Sequence, residues 1–151
     1  MVIALLASDA AYAAMRTTPG SIRVLVVDDH ASFREGAVAL LRLDERLEVV
    51  GEAADGAEAI AFLEREDVDV VLMDVDMPRM DGLTATGRIV AEHPETRVVV
   101  VSGAGSPELE RAAEAAGAAA YLCKSRLAEL AVVVAEASPP QDVRRRERDL
   151  L

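Results

Sequence analysis

A doubly wound α/β domain on a five-stranded parallel sheet is the fold this sequence predicts, and three patterns predict it. Short β-branched runs alternate five times with helically spaced stretches over residues 22–137, the rhythm of β-α units joined by right-handed crossovers. The runs are apolar throughout rather than alternating, which suits a sheet covered on both faces. Turn and cap residues punctuate the boundaries between them.

Strands are expected at 22–27, 47–51, 68–73, 97–101 and 118–122. Behind the first strand, Phe33, Ala37, Leu40 and Leu41 share a helical face, as do Ala59, Ile60 and Leu63 behind the second. Leu83, Ile89 and Val90 mark a third helix. Leu109, Ala112, Ala113 and Ala116 mark a fourth, and Leu127, Leu130, Val133 and Val134 a fifth. Asp55-Gly56 and Asp81-Gly82 read as turn dipeptides, Ser106-Pro107 as a helix start and Gly117 as a helix stop. Pro139-Pro140 ends the last helix.

With 151 residues, 52% of them apolar, one domain can bury its own core. Aromatics make up only 3%, so Val, Leu, Ile and Ala must fill it. The net charge of −11 argues against an unaided grip on a polyanion. From Ser138 onward four Arg face Asp142, Glu147 and Asp149, so that tail is +1 and the body carries −12. The lone Cys123 excludes an internal disulfide and fits a reducing cytoplasm. No run approaches the roughly 18 apolar residues of a membrane span. Residues 1–21 are expected to be a disordered extension or a start-site artefact, with Met15 an alternative start. Ala11-Tyr12-Ala13 resembles a signal-peptidase site, but a basic n-region is missing and Ser8-Asp9 breaks the apolar run.

Chemistry collects at the strand ends. The first strand runs into Asp28-Asp29, the third into Asp74, the fourth into Ser102 and the fifth into Cys123-Lys124. In a parallel sheet these ends share one edge, where doubly wound domains place their sites. Three crowded carboxylates raise one another's pKa and destabilise the fold unless a cation sits between them. One lysine does not balance them. An all-oxygen pocket with room for water suits Mg²⁺. A carboxylate beside that metal can attack a phosphoryl group in line. Mg²⁺ and Lys124 would then neutralise the equatorial oxygens while the Ser102 hydroxyl bonds one of them. Lys124 is the one lysine among 16 basic side chains, and a compact ammonium fits a small anion pocket that a planar guanidinium would not.

In this order VLVVDDH, VVLMDVDMPRMDG, VVVVSG and AAYLCKS resemble the four signature blocks of the response-regulator receiver family, over residues 22–137. The resemblance implies a flavodoxin-like (CheY-like) sheet in strand order 2-1-3-4-5. It implies that Asp28 and Asp29 bind Mg²⁺, that Asp74 takes phosphate from a histidine kinase, and that the backbone carbonyl of Asp76 completes the metal site. Ser102 and Lys124 would contact the phosphoryl group. Tyr121 would be an aromatic switch altering the face of the fourth helix, fifth strand and fifth helix, and with it homodimerisation or another output. Such a domain catalyses only its own phosphorylation and dephosphorylation. Two departures matter. Ser125 follows the lysine where the family often has Pro, a choice familiar in the NarL/LuxR-like branch. Asp76 adds a fourth carboxylate, expected to alter the phosphoryl lifetime.

Plainer readings apply elsewhere. His30 is expected to be a helix-start residue near the site rather than a ligand, because Mg²⁺ prefers oxygen. His93 reads as a helix-end cap and Cys123 as a small core residue pointing away from Lys124. Residues 138–151 read as a solvated linker. Yet VRRRERDLL is similar to the opening helix of LuxR-type helix-turn-helix domains, as though such a domain were cut short. Without a recognition helix, residues 1–151 are not expected to bind DNA specifically.

Two rivals remain. Asp74-Val75-Asp76 resembles the D-x-D of haloacid-dehalogenase-type phosphatases, but their nucleophile lies on the first strand, and here the acidic pair comes first. A phosphate-blind interaction module of receiver shape would be favoured only if Asp28, Asp29, Asp74, Ser102 or Lys124 were missing.

Overall fold

The computed structural model describes residues 20–139; the expectations for 1–19 and 140–151 lie outside them. Five strands, β1 (Ile22–Val27), β2 (Leu47–Ala53), β3 (Val70–Asp74), β4 (Arg97–Ser102) and β5 (Ala120–Cys123), form one sheet. Every pairing is parallel, in the order β2-β1-β3-β4-β5. The helices are α1 (Ala31–Arg42), α2 (Gly56–Arg65), α3 (Gly82–Glu92), α4 (Pro107–Ala115) and α5 (Leu130–Ala137), with a 3₁₀ segment at Lys124–Glu129 before α5.

The uniformly apolar strands are explained by two cores. Leu25, Val27, Val71, Met73, Val98 and Val100 point to the side covered by α2, α3 and α4. Their neighbours Val24, Val26, Val70, Leu72, Val99 and Val101 point to the side covered by α1 and α5. A strand whose residues alternate between two dry faces has no polar positions left to show. Each such side chain contributes about 1.5–3 kcal/mol by leaving water.

Caps set the helix starts. Ser106 accepts the Leu109 N–H and Pro107 follows it, as its dipeptide predicts. Asp55-Gly56 and Asp81-Gly82 are not turns between strands: both aspartates are N-caps, Asp55 accepting from Glu58 and Asp81 from Leu83 and Thr84. The left-handed φ of 99° at Gly117 closes α4, and the Ala118 N–H still bonds back to Ala113. Pairing with β4 resumes where the Ala119 N–H meets Val98, so β5 begins later than the apolar run suggests. The fifth helix also starts late, because Arg126 (φ −109°, ψ 36°) breaks the helical path and leaves Leu127 in the 3₁₀ segment.

Candidate functional site

Asp28 and Asp74 are the best-defined members of the carboxyl edge. Asp28 follows β1 and is fully buried; Asp74 is the last residue of β3 and is 3% exposed. Both positions are set by backbone pairing. The Asp28 N–H donates to Ala53 beyond the β1–β2 ladder, and Asp74 stands in register with Val101 of β4.

Lys124 bridges the two acids. Its Nζ donates to Asp28 Oδ2 at 2.8 Å and lies 3.1 Å from Asp74 Oδ1. Asp28 Oδ1 accepts the His30 backbone N–H at 2.8 Å, and the His30 ring Nδ1 stands 3.2 Å from it and 3.0 Å from Asp29 Oδ1. Ligand atoms of Asp28, Asp29, His30 and Asp74 all lie within 4.8 Å of one another. The three predicted carboxylates are thus brought together. His30 is the N-cap residue of α1, as expected, but its ring joins the cluster.

The second oxygen of Asp74 decides what this cluster can do. Oδ2 is buried and has no hydrogen-bond partner among the described residues. Burial raises the Asp74 pKa, the nearby Asp28 charge adds to it, and Lys124 only partly offsets them. An unmet buried carboxylate oxygen among two further carboxylates is a place for a cation. Oxygen donors at this spacing fit Mg²⁺, which takes oxygen ligands and keeps several waters.

Three residues support the site in ways their sequence pattern does not reveal. Arg34 donates from Nη1 to the Asp28 carbonyl at 2.6 Å, holding the end of β1 from α1. Phe33 places its ring centroid 4.2 Å from Lys124 Nζ. Gly82 starts α3 against the acceptor. A Cβ there would overlap the Asp74 carbonyl oxygen, with 2.8 Å to the carbonyl carbon and 3.0 Å to Val75 Cα. Only the close approach of Asp74 and Gly82 explains that glycine.

The remaining predicted residues line the edge. Ser102, fully buried at the end of β4, turns its hydroxyl to Ala104, donating to the carbonyl at 3.0 Å and accepting the N–H at 3.2 Å. Tyr121, half-buried, donates its hydroxyl to the same Ala104 carbonyl at 2.8 Å. Asp76 is exposed in the loop from β3 to α3. His93 caps the C-terminus of α3, its N–H bonding Ile89. Cys123 is not the core residue expected: it is half-buried, and a hydrogen bond from Ser125 lowers its thiol pKa.

Residues 24–135 match the model of the response regulator receiver domain. The chain is 38% identical over 126 residues to the probable transcriptional regulatory protein NarL of Mycobacterium tuberculosis, covering 83% of this chain and 58% of that one. It is 52% identical over 82 residues to protein-glutamate methylesterase/protein-glutamine glutaminase 4 of Geobacter metallireducens, covering 54% of this chain and 23% of that protein. It therefore spans less than two thirds of each relative. The solved signal receiver domain of the putative response regulator NarL from M. tuberculosis superposes with a TM-score of 0.72 at 38% identity, covering 77% of this chain and 94% of that one. Neither the family match nor the strand order favours the rival readings. With its sheet in the receiver order and its acids on the receiver edge, the chain belongs to the response-regulator receiver family of two-component systems, within the NarL/LuxR-like branch.

Proposed function

We propose that Asp74 is the phosphoacceptor of this receiver. The observation that carries this is the division of labour on one carboxylate: Lys124 holds Oδ1, while Oδ2 is buried and unbonded. A carboxylate oxygen of Asp74 would form the bond to phosphorus as the phosphorus–nitrogen bond of a histidine-kinase phosphohistidine breaks; the imidazole, already protonated on its other ring nitrogen, takes the electron pair and leaves neutral. Asp28, Asp29, Asp74 and the Asp76 carbonyl would hold Mg²⁺, which when bound neutralises charge on the transferring group. Lys124 sits close enough to pair with the same oxygens. Catalysis extends only to the domain's own phosphorylation and dephosphorylation.

The hydrogen bonds at Ala104 support a switch role for Tyr121. Ser102 and Tyr121 both donate to the Ala104 carbonyl. When Ser102 turns to a phosphoryl oxygen, both its bonds to Ala104 are lost, and the residue that anchors the Tyr121 hydroxyl becomes free to shift. The face of α4, β5 and α5 would change with it and set homodimerisation or contact with an output. A cytoplasmic setting fits the single free thiol, and among the described residues no helix is long and apolar enough to cross a membrane. Incubation with acetyl phosphate and Mg²⁺ tests the reading: wild type gains one phosphoryl group, and Asp74→Asn gains none. Equal incorporation by both would refute it.

A further inference from the structure

We propose that Phe33 is a positioning residue, the face of its ring holding the Lys124 ammonium between Asp28 and Asp74. A lysine head is a point charge on a flexible four-carbon stem, and two carboxylates alone leave one side of it open. Here that side is covered: Nζ lies 2.8 Å from Asp28 Oδ2, 3.1 Å from Asp74 Oδ1 and 4.2 Å from the centroid of the Phe33 ring. The three contacts come from the residue following β1, from β3 and from the first turn of α1. Lys124 itself stands where β5 gives way to the 3₁₀ segment, so the ring ties the fifth strand end to the first helix.

The ring is well placed for this work. Phe33 is half-buried and packs against the core beneath α1 and α5, which fixes its plane. The negative face of an aromatic ring attracts a cation without offering a lone pair that could take its proton. A leucine would fill the same space and lack that attraction. By occupying the open side of the ammonium, Phe33 keeps Lys124 on Asp74 Oδ1 and away from the unbonded Oδ2. This role in phosphorylation rests on the assignment of Asp74 and Lys124 above; the contact itself does not.

Because Lys124 is the chain's sole lysine, protein grown with ¹³C,¹⁵N-lysine yields one lysine side-chain signal set, and the ring-current shift of its ε-protons reports the contact directly. Wild type should show the upfield shift, Phe33→Tyr should keep it, and Phe33→Leu should lose it. The initial rate of phosphorylation by acetyl phosphate in Mg²⁺ should fall roughly three- to tenfold in Phe33→Leu and stay within about twofold in Phe33→Tyr. Replacement of Phe33 by pentafluorophenylalanine keeps the shape and reverses the charge of the ring face. It should slow the rate as Leu does, and it serves if the Leu variant does not fold. An unshifted lysine signal in wild type, or a fluorinated ring with wild-type rate, would overturn the proposal. If wild type takes no phosphoryl group, the Asp74 assignment fails, and the lysine signal still decides the contact.

Discussion

Replacing Lys124 with Met removes the one cation that touches both buried acids while keeping a stem of similar length. At about 3 Å and an effective dielectric near 20, each contact carries roughly 5 kcal/mol of attraction before desolvation is counted. Most of that offsets the cost of burying the charges, and breaking one partner of a buried pair typically costs about 3–5 kcal/mol. The Lys124 side chain is 22% exposed, against 1% and 3% for Asp28 and Asp74. Water therefore screens part of the loss, and the expected cost is about 2–4 kcal/mol, or a fall in Tm of roughly 10 °C for a domain of this size. Circular dichroism melts in EDTA provide the assay, repeated in the Asp74→Asn background. With that carboxylate gone, Lys124→Met should cost about 1–2 kcal/mol less. The pH dependence carries the same signature. Burial alone would lower the Lys124 pKa, but hydrogen bonds to Asp28 and Asp74 overcome it and raise it above its usual 10.5. The stabilisation is therefore complete below pH 10.5 and is lost as pH rises through the raised value, a loss the Met variant should lack. A Met variant melting within about 2 °C of wild type, with the same alkaline limb, would refute this reasoning.

Three further changes probe other parts of the site. Gly82→Ala must push the start of α3 away from the Asp74 carbonyl; a loss of at least about 3 kcal/mol in urea unfolding is expected, and a neutral result would mean the two segments separate freely. Tyr121→Ala should weaken phosphorylation-dependent dimerisation at least roughly tenfold by analytical ultracentrifugation, whereas an unchanged dimerisation constant would end the switch role. Asp76→Asn should change the dephosphorylation half-life by about threefold or more if a carboxylate two residues beyond the acceptor repels or orients the attacking water; an identical half-life would remove Asp76 from the chemistry.

Much of the site was legible because a parallel sheet turns sequence order into spatial order. Asp74 and Ser102 each end a strand, and Asp28 and Lys124 each directly follow one, so reading the residue at the end of every apolar run recovers the edge. What the sequence concealed is of another kind. Phe33 looks like any apolar residue on an amphipathic helix, and nothing in its spacing says that one ring face meets an ammonium. The partner of Ser102 and Tyr121 is a backbone carbonyl at Ala104, which no side-chain pattern can announce. Asp55 and Asp81 carry a turn signature that also serves as an N-cap, and only the following helical run separates the two. The late start of α5 turns on the dihedral angles of Arg126, a residue whose type permits a helix.

The central claim is that one carboxylate, Asp74, receives the phosphoryl group. Borohydride reduces an aspartyl phosphate to homoserine, so peptide mapping after acetyl phosphate and Mg²⁺ treatment names the residue directly. Homoserine at position 74 alone is the predicted result; homoserine at Asp28, Asp29 or Asp76, with Asp74 intact, would contradict it.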